Sequence, residues 1–188
     1  MRHAVSAQKL GVDAVTLIGY GSGGHIGNEN VASFVLLPKA VEALDIPVIS
    51  GGAVCNGRGF LAAMAMGVEG VLMGTAFMMS EECPIHANIK TRLLETGEAD
   101  TTLLLTTIQN PVRCIKNKLA DECLLIEESG GSFEEIINAV AGGKGQVAYH
   151  SGDPDGAPIA CGQIAGLIDR IKPAQQIVDE IIADAENH

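Results

Sequence analysis

Three short apolar runs, each closed by glycine and separated from the next by a helix-length segment, constrain this chain more than any other feature. They are Ala14 to Ile18 before Gly19, Pro47 to Ser50 before Gly51, and roughly Gly70 to Met73 before Gly74. Continuous apolar runs of this kind fit strands covered on both faces, and strands that alternate with helices build a parallel sheet. The first intervening helix covers about Ala32 to Leu44, with Leu36, Leu37, Ala40, Val41 and Leu44 at helical spacing. The second covers about Arg58 to Met66 and stops at Gly67. A helical segment around Val5 to Leu10 feeds the first strand through Gly11. The expected fold class is α/β.

Beyond Ser80 the strict alternation ends. The sequence predicts a helix near His86 to Glu95, an extended piece at Thr101 to Thr107 and a helical stretch from Val112 toward Leu125. Ser132 and Glu135 form a capping-box pattern that opens a helix toward Val140, closed by Gly142-Gly143. Gly152 to Gly156 is rich in turn residues and expected to be exposed. A last helix starts around Pro173, with Ile177, Ile181 and Ile182 on one stripe. Three parallel strands alone leave both outer strands with unpaired backbone groups, so the chain reads as the later part of a larger βα protein.

Charge and composition narrow the function classes. A formal net charge of -11 over 188 residues argues against nucleic-acid partners, which need clustered Lys and Arg. Five widely spaced cysteines without a Cys-x-x-Cys pair read as reduced thiols, with neither a zinc site nor a redox pair. No apolar run reaches the roughly 18 residues of a membrane span, and no signal-type segment follows Met1, so a soluble, cytoplasmic protein with no membrane partner is expected.

The run Gly19-Tyr20-Gly21-Ser22-Gly23-Gly24-His25-Ile26-Gly27 directly follows the first apolar stretch. Glycine allows a backbone to approach a ligand closely, and histidine has the side-chain pKa nearest neutrality, so cradle and proton-transfer group stand together. Gly19 to Gly24 also satisfies G-x-G-x-x-G, but that fingerprint needs a helix opening on its final glycine, whereas His25 to Asn28 prolongs the loop. Gly142-Gly143-Lys144 does not complete a P-loop, because Asn138 stands where the first glycine belongs. Arg113, Lys116 and Lys118 form one compact basic patch, read either as a solvated face or as a site for a carrier phosphopantetheine or a nicotinamide dinucleotide phosphate.

The segments Ser22 to Gly27, Ile46 to Gly52 and Gly70 to Phe77, in this order and spacing, resemble the nitronate monooxygenase family and its relative, the FMN-dependent enoyl-acyl-carrier-protein reductase. The similarity continues through Asn110 to Leu119 and Cys161 to Ile168, and so covers nearly the whole chain. The resemblance implies the C-terminal part of an FMN-binding (β/α)8 TIM barrel. Its last three βα units would occupy residues 1–80, a mostly helical segment 81–188 would pack on them, and the first five strands would be absent.

The resemblance further implies His25 as the proton-abstracting base, and Gly23, Gly24, Ser50, Gly51, Gly52, Gly74, Thr75 and Gln163 as FMN contacts. Glycines after two neighbouring barrel strands place backbone N–H groups, with the Thr75 hydroxyl, where a phosphate can accept them. Gln163 reads equally as a cap for the helix that follows. No metal is expected. The implied reaction is oxidation of an alkyl nitronate with O2. The alternatives are reduction of an enoyl thioester with NAD(P)H, or an inactive fragment or association module. Many members carry an acidic residue two places before Gly-Gly-His, where Gly21 and Ser22 stand here, which leaves substrate preference open. Homo-oligomerisation is also left open.

Overall fold

A computed structural model describes residues 1–141 and 143–188. Strands β1 (Val15–Ile18), β3 (Val48–Gly51) and β4 (Gly70–Leu72) form a parallel sheet in the order β1-β3-β4. The register pairs Val15 with Val48 and Ile18 with Gly51, then Ile49 with Gly70 and Gly51 with Leu72. Helices α2 (Ser33–Ala43) and α3 (Gly57–Ala65) make the crossovers, and α1 (Arg2–Lys9) precedes β1. All three pack against one sheet face, where Leu37, Ala40, Val48, Ala63 and Val68 form a buried core with Ala4. Gly67, at φ +87°, terminates α3 as the sequence predicts. The opposite sheet face stays open, with Ile18 41% and Leu72 52% exposed.

A second, antiparallel sheet departs from the sequence expectation. Its order is β2-β6-β5, built from Gly24–His25 (β2), Val112–Ile115 (β6) and Thr101–Leu104 (β5). Val112–Ile115, expected as helix, is a strand because it pairs with β5 along its whole length, from Thr101 opposite Ile115 to Leu104 opposite Val112. The helix starts later, as α6 (Lys118–Glu128), where the Asn117 side chain accepts the Ala120 N–H at 2.8 Å. The segment from residue 81 onward therefore carries two strands as well as its helices.

Among those helices, α4 (Thr75–Met78) and α5 (Ala87–Leu94) follow β4, with His86 capping α5. Helix α7 (Phe133–Val140) opens on the predicted capping box, both halves of which are formed. Gly142 lies outside the described residues. Gly143, expected to close α7, instead precedes α8 (Lys144–Ser151), a helix that the sequence reading did not anticipate. Helix α9 (Ala174–Glu186) begins after Pro173 and buries Ile177 and Ile181, while Ile182 faces outward at 48% exposure. Two further cores hold this half together, one around Ile89, Leu93, Ile115 and Ile159, the other around Leu104, Cys114, Cys123 and Ile136. Among the described residues no helix is long and apolar enough to cross a membrane.

Candidate functional site

The C-terminal ends of the three parallel strands open on a cleft of about 160 Å³. Ile18 and the loop Ser22–Gly24 form one wall, and Gly51 to Val54 form the floor. The β4–α4 junction from Leu72 to Ala76 lines the far side, and Ala160, Gly162 and Ile164 close it from the C-terminal half. Among the described residues no group of His, Cys, Asp and Glu is arranged to hold a metal ion.

The glycines at this cleft serve different ends. A Cβ on Gly51 would sit 2.9 Å from the Ile18 side chain, and one on Gly52 2.4 Å from the Ser22 hydroxyl oxygen. Gly52 also has φ +77°, a conformation that L residues rarely adopt. A Cβ on Gly23 would sit 2.6 Å from the backbone of Cys161 and Gly162. These glycines are required by the fold itself. At Gly74, by contrast, nothing lies within 4 Å of an added Cβ and φ is an ordinary -106°. Open space at that point, on the wall of a cleft, is a cradle that a ligand can fill.

Hydrogen bonding corrects the sequence reading of the phosphate grip. The Gly52 N–H is not free, because it donates to the Leu72 carbonyl at 2.9 Å. The Thr75 hydroxyl is buried and accepts the Gly162 N–H at 3.1 Å, which leaves its own O–H as a donor. Beside it the β4–α4 junction offers backbone. Among the described residues the N–H groups of Gly74, Thr75 and Ala76 find no acceptor within the chain, as expected for the opening turn of a helix. Ser22, which sequence reasoning did not single out as a contact, fixes the loop by donating its hydroxyl to the Gly51 carbonyl at 2.9 Å. Ala53, at φ +63°, holds a strained turn on the cleft floor.

Three expected contacts lie outside the cleft lining. Ser50 shares the helix-facing side of β3 with Val48 and is buried. Gln163 is exposed, opens the 3-10 helix Gln163–Leu167 without capping it, and anchors the glycine loop by donating its N–H to the Gly21 carbonyl at 2.9 Å. His25 is exposed on β2 opposite Val112, directly after Gly24, which does line the cleft.

The basic patch is dismantled by the fold. Arg113 points inward from β6 and is 3% exposed. Its guanidinium donates to the Tyr20 carbonyl at 2.9 and 3.1 Å and to the Thr101 hydroxyl at 2.9 Å, and lies 4.7 Å from the centre of the Tyr20 ring. Lys118 pairs with Asp155 at 3.1 Å. The Lys118 amide and ammonium hold that carboxyl below its usual range. Of the three, Arg113 is therefore structural at the glycine loop, not a surface site for a carrier or dinucleotide. Behind the cleft, burial pushes the thiols of Cys114 and Cys161 up to about 12, so both are inert at neutral pH.

Residues 1–184 match the family model described as nitronate monooxygenase. A probable nitronate monooxygenase of Staphylococcus aureus is 30% identical over 187 residues, covering 95% of this chain and 52% of that protein. A Rhodococcus jostii (3aS,4S,5R,7aS)-5-hydroxy-7a-methyl-1-oxo-octahydro-1H-indene-4-carboxyl-CoA dehydrogenase is 28% identical, covering 98% of this chain and 62% of that protein. Among solved structures, FabK from Thermotoga maritima superposes with a TM-score of 0.90 at 35% identity, covering 98% of this chain and 58% of that one. The chain thus spans little more than half the length of these relatives.

Proposed function

The chain belongs to the nitronate monooxygenase family, and from that premise we propose that it is the phosphate-gripping and base-bearing part of an FMN-dependent oxidoreductase. In this reading its three parallel strands are the last three βα units of a (β/α)8 barrel, within residues 1–80, and residues 81–188 pack on them. The observation that carries the reading is Gly74, a glycine that the chain's own packing does not require, beside unclaimed amides on a cleft.

The residues fit the cofactor at its phosphate end. The amides of Gly74, Thr75 and Ala76 would hold the phosphate, and Gly23, Gly24, Gly51 and Gly52 would let the backbone approach it. The cleft, at about 160 Å³, is smaller than the roughly 300–1,000 Å³ of typical cofactor pockets. The rest of the flavin would therefore be held by groups beyond this cleft. Bound FMN would supply the two-electron acceptor. His25, next to the cleft and open to solvent, would take the proton from the carbon bearing the substrate's nitro group through an imidazole nitrogen and release it to water. A positioned base of this kind contributes about 10²–10⁴-fold.

A second reading, reduction of an enoyl thioester with NAD(P)H, is favoured by the FabK superposition and by the CoA-ester relative.

Titration of the chain with FMN, followed by flavin fluorescence, tests the cofactor site. Weak but measurable binding is expected, and G74A, which keeps the N–H but puts a methyl into the open space, should lower it about tenfold, the scale of one hydrogen bond, with no change in thermal midpoint. Undiminished affinity in G74A would overturn the phosphate grip, and no binding by the wild type would favour an association module. H25Q should lower turnover of a neutral nitroalkane, whose carbon still bears the proton, while FMN affinity and turnover of the preformed nitronate stay unchanged. Anaerobic bleaching of the flavin by NADH would select the reductase reading.

A further inference from the structure

Asn56–Gly57 is the one Asn–Gly pair in the chain, and it sits where the cleft floor runs into α3. Gly51 to Val54 form that floor, and only Cys55 separates them from Asn56. In an Asn–Gly pair the following peptide nitrogen can attack the side-chain amide with little hindrance, because glycine puts no side chain in its way. The Gly57 nitrogen bonds to Asn56 Cγ, the bond from Cγ to Nδ2 breaks, and the side-chain nitrogen leaves as ammonia with the Gly57 proton. Water then opens the succinimide ring at either carbonyl and gives aspartate or isoaspartate.

The fold calls for both residues of this pair. A Cβ on Gly57 would run into the backbone of Asp184 and Ala185, where α9 lies along α3. Asn56 is the N-cap of α3, and its side-chain oxygen accepts the Gly59 N–H at 2.8 Å. Packing selects glycine at 57, and capping selects a short polar side chain at 56.

The helix that imposes the glycine also withholds the attacking nitrogen. The Gly57 N–H donates to the Asp184 carboxylate of α9 at 2.9 Å, while the Asn56 side chain is held in the cap. Ring closure has to break both bonds and open the first turn of α3. Water is not what is missing, because Asn56, Asp184 and Asn187 line a cavity of about 390 Å³, far more than a water molecule needs. We propose that Asn56–Gly57 is a latent succinimide-forming site, and that the Asp184 carboxylate holds it closed in the folded protein.

The two products differ in what they do to the fold. Aspartate caps a helix as well as asparagine does, so that product leaves the start of α3 in place. Isoaspartate routes the main chain through the former side chain and lengthens it between Cys55 and Gly57, next to the cleft floor. Neither step involves a flavin, so the site stands apart from the proposed cofactor chemistry.

Wild type, D184A and D184N would be aged in parallel in mildly alkaline buffer, each folded and each unfolded in guanidinium chloride. Peptide mapping by mass spectrometry reads the fraction converted at residue 56, and amide exchange reads whether α9 stays docked. Unfolded, all three should react at one fast rate. Folded wild type should react far more slowly, and folded D184A about tenfold faster than folded wild type, the scale of one charge-assisted hydrogen bond. D184N, whose side-chain oxygen still accepts an N–H, should stay near wild type. If D184A loosens α9, the D184N arm decides. A folded wild type as fast as the unfolded chain, a folded D184A no faster than wild type, or a D184N as fast as D184A would each overturn the proposal.

Discussion

Gly52 and Gly74 are the same residue type held for opposite reasons. Gly52 is demanded from within, by φ +77° and by the Ser22 hydroxyl 2.4 Å from any added Cβ. G52A is expected to cost about 1–3 kcal/mol, the scale of a left-handed non-glycine residue plus a clash, measured as a lowered urea midpoint. An unchanged midpoint would show that Ser22 and the loop yield freely. Gly74 has no such constraint, which is why its substitution separates ligand binding from stability. Both glycines stand out in the sequence by their position after apolar runs. That one serves the chain and the other leaves open space is invisible there, because it depends on where Ser22 and the β4–α4 junction come to rest.

Elements with their own start signals were legible. Ser132 and Glu135 opened α7 as read, with the Glu135 carboxylate accepting the Ser132 N–H at 2.8 Å and the Ser132 hydroxyl at 2.7 Å. Those two bonds hold the Glu135 carboxyl below its ordinary value of 4.5. A depressed carboxylate contributes stability that is present above its unfolded pKa and lost as pH falls through its folded one. The capping contribution should therefore hold at neutral pH and fade in acid, below the usual glutamate range. Thermal midpoints of wild type and E135Q should differ near neutral pH and converge in acid, below the usual glutamate range; a constant difference would refute the linkage. The β6 strand was misread because Val112 to Leu125 carries helix-compatible residues throughout, and only pairing with β5 decides otherwise. Asn117, the cap that marks the true start of α6, was the overlooked local signal.

At the scale of the molecule, the C-terminal helix packs along α3 of the βα half, and Gly57 is where the two backbones come closest. The Asp184 carboxylate of α9 accepts the Gly57 N–H at 2.9 Å, and a Cβ on Gly57 would meet the Ala185 nitrogen at 2.4 Å. Backbone cannot give way as a flexible side chain can, so G57A should lift α9 off α3. The expected cost is about 1–3 kcal/mol, the usual scale of overpacking, with faster amide exchange in α9. Unaltered exchange would mean that α9 is held elsewhere. The open sheet face with Ile18 and Leu72 belongs to the same scale. It is the surface that the proposed barrel would close, and it explains why so small a cleft ends on exposed apolar side chains.

The sequence by itself determined the three βα units, the capping box and the clustering of glycines after strands, because periodicity and turn chemistry act between residues close along the chain. The tertiary structure alone decided which amides are free and which side chains are claimed within the fold. Thr75 meets Gly162 across 87 residues, Arg113 meets Tyr20 across 93 and Asp184 meets Gly57 across 127. A hydrogen-bonding group is available to a ligand only when no partner in the fold has claimed it, and such partners are chosen by packing between segments that local sequence rules cannot bring together.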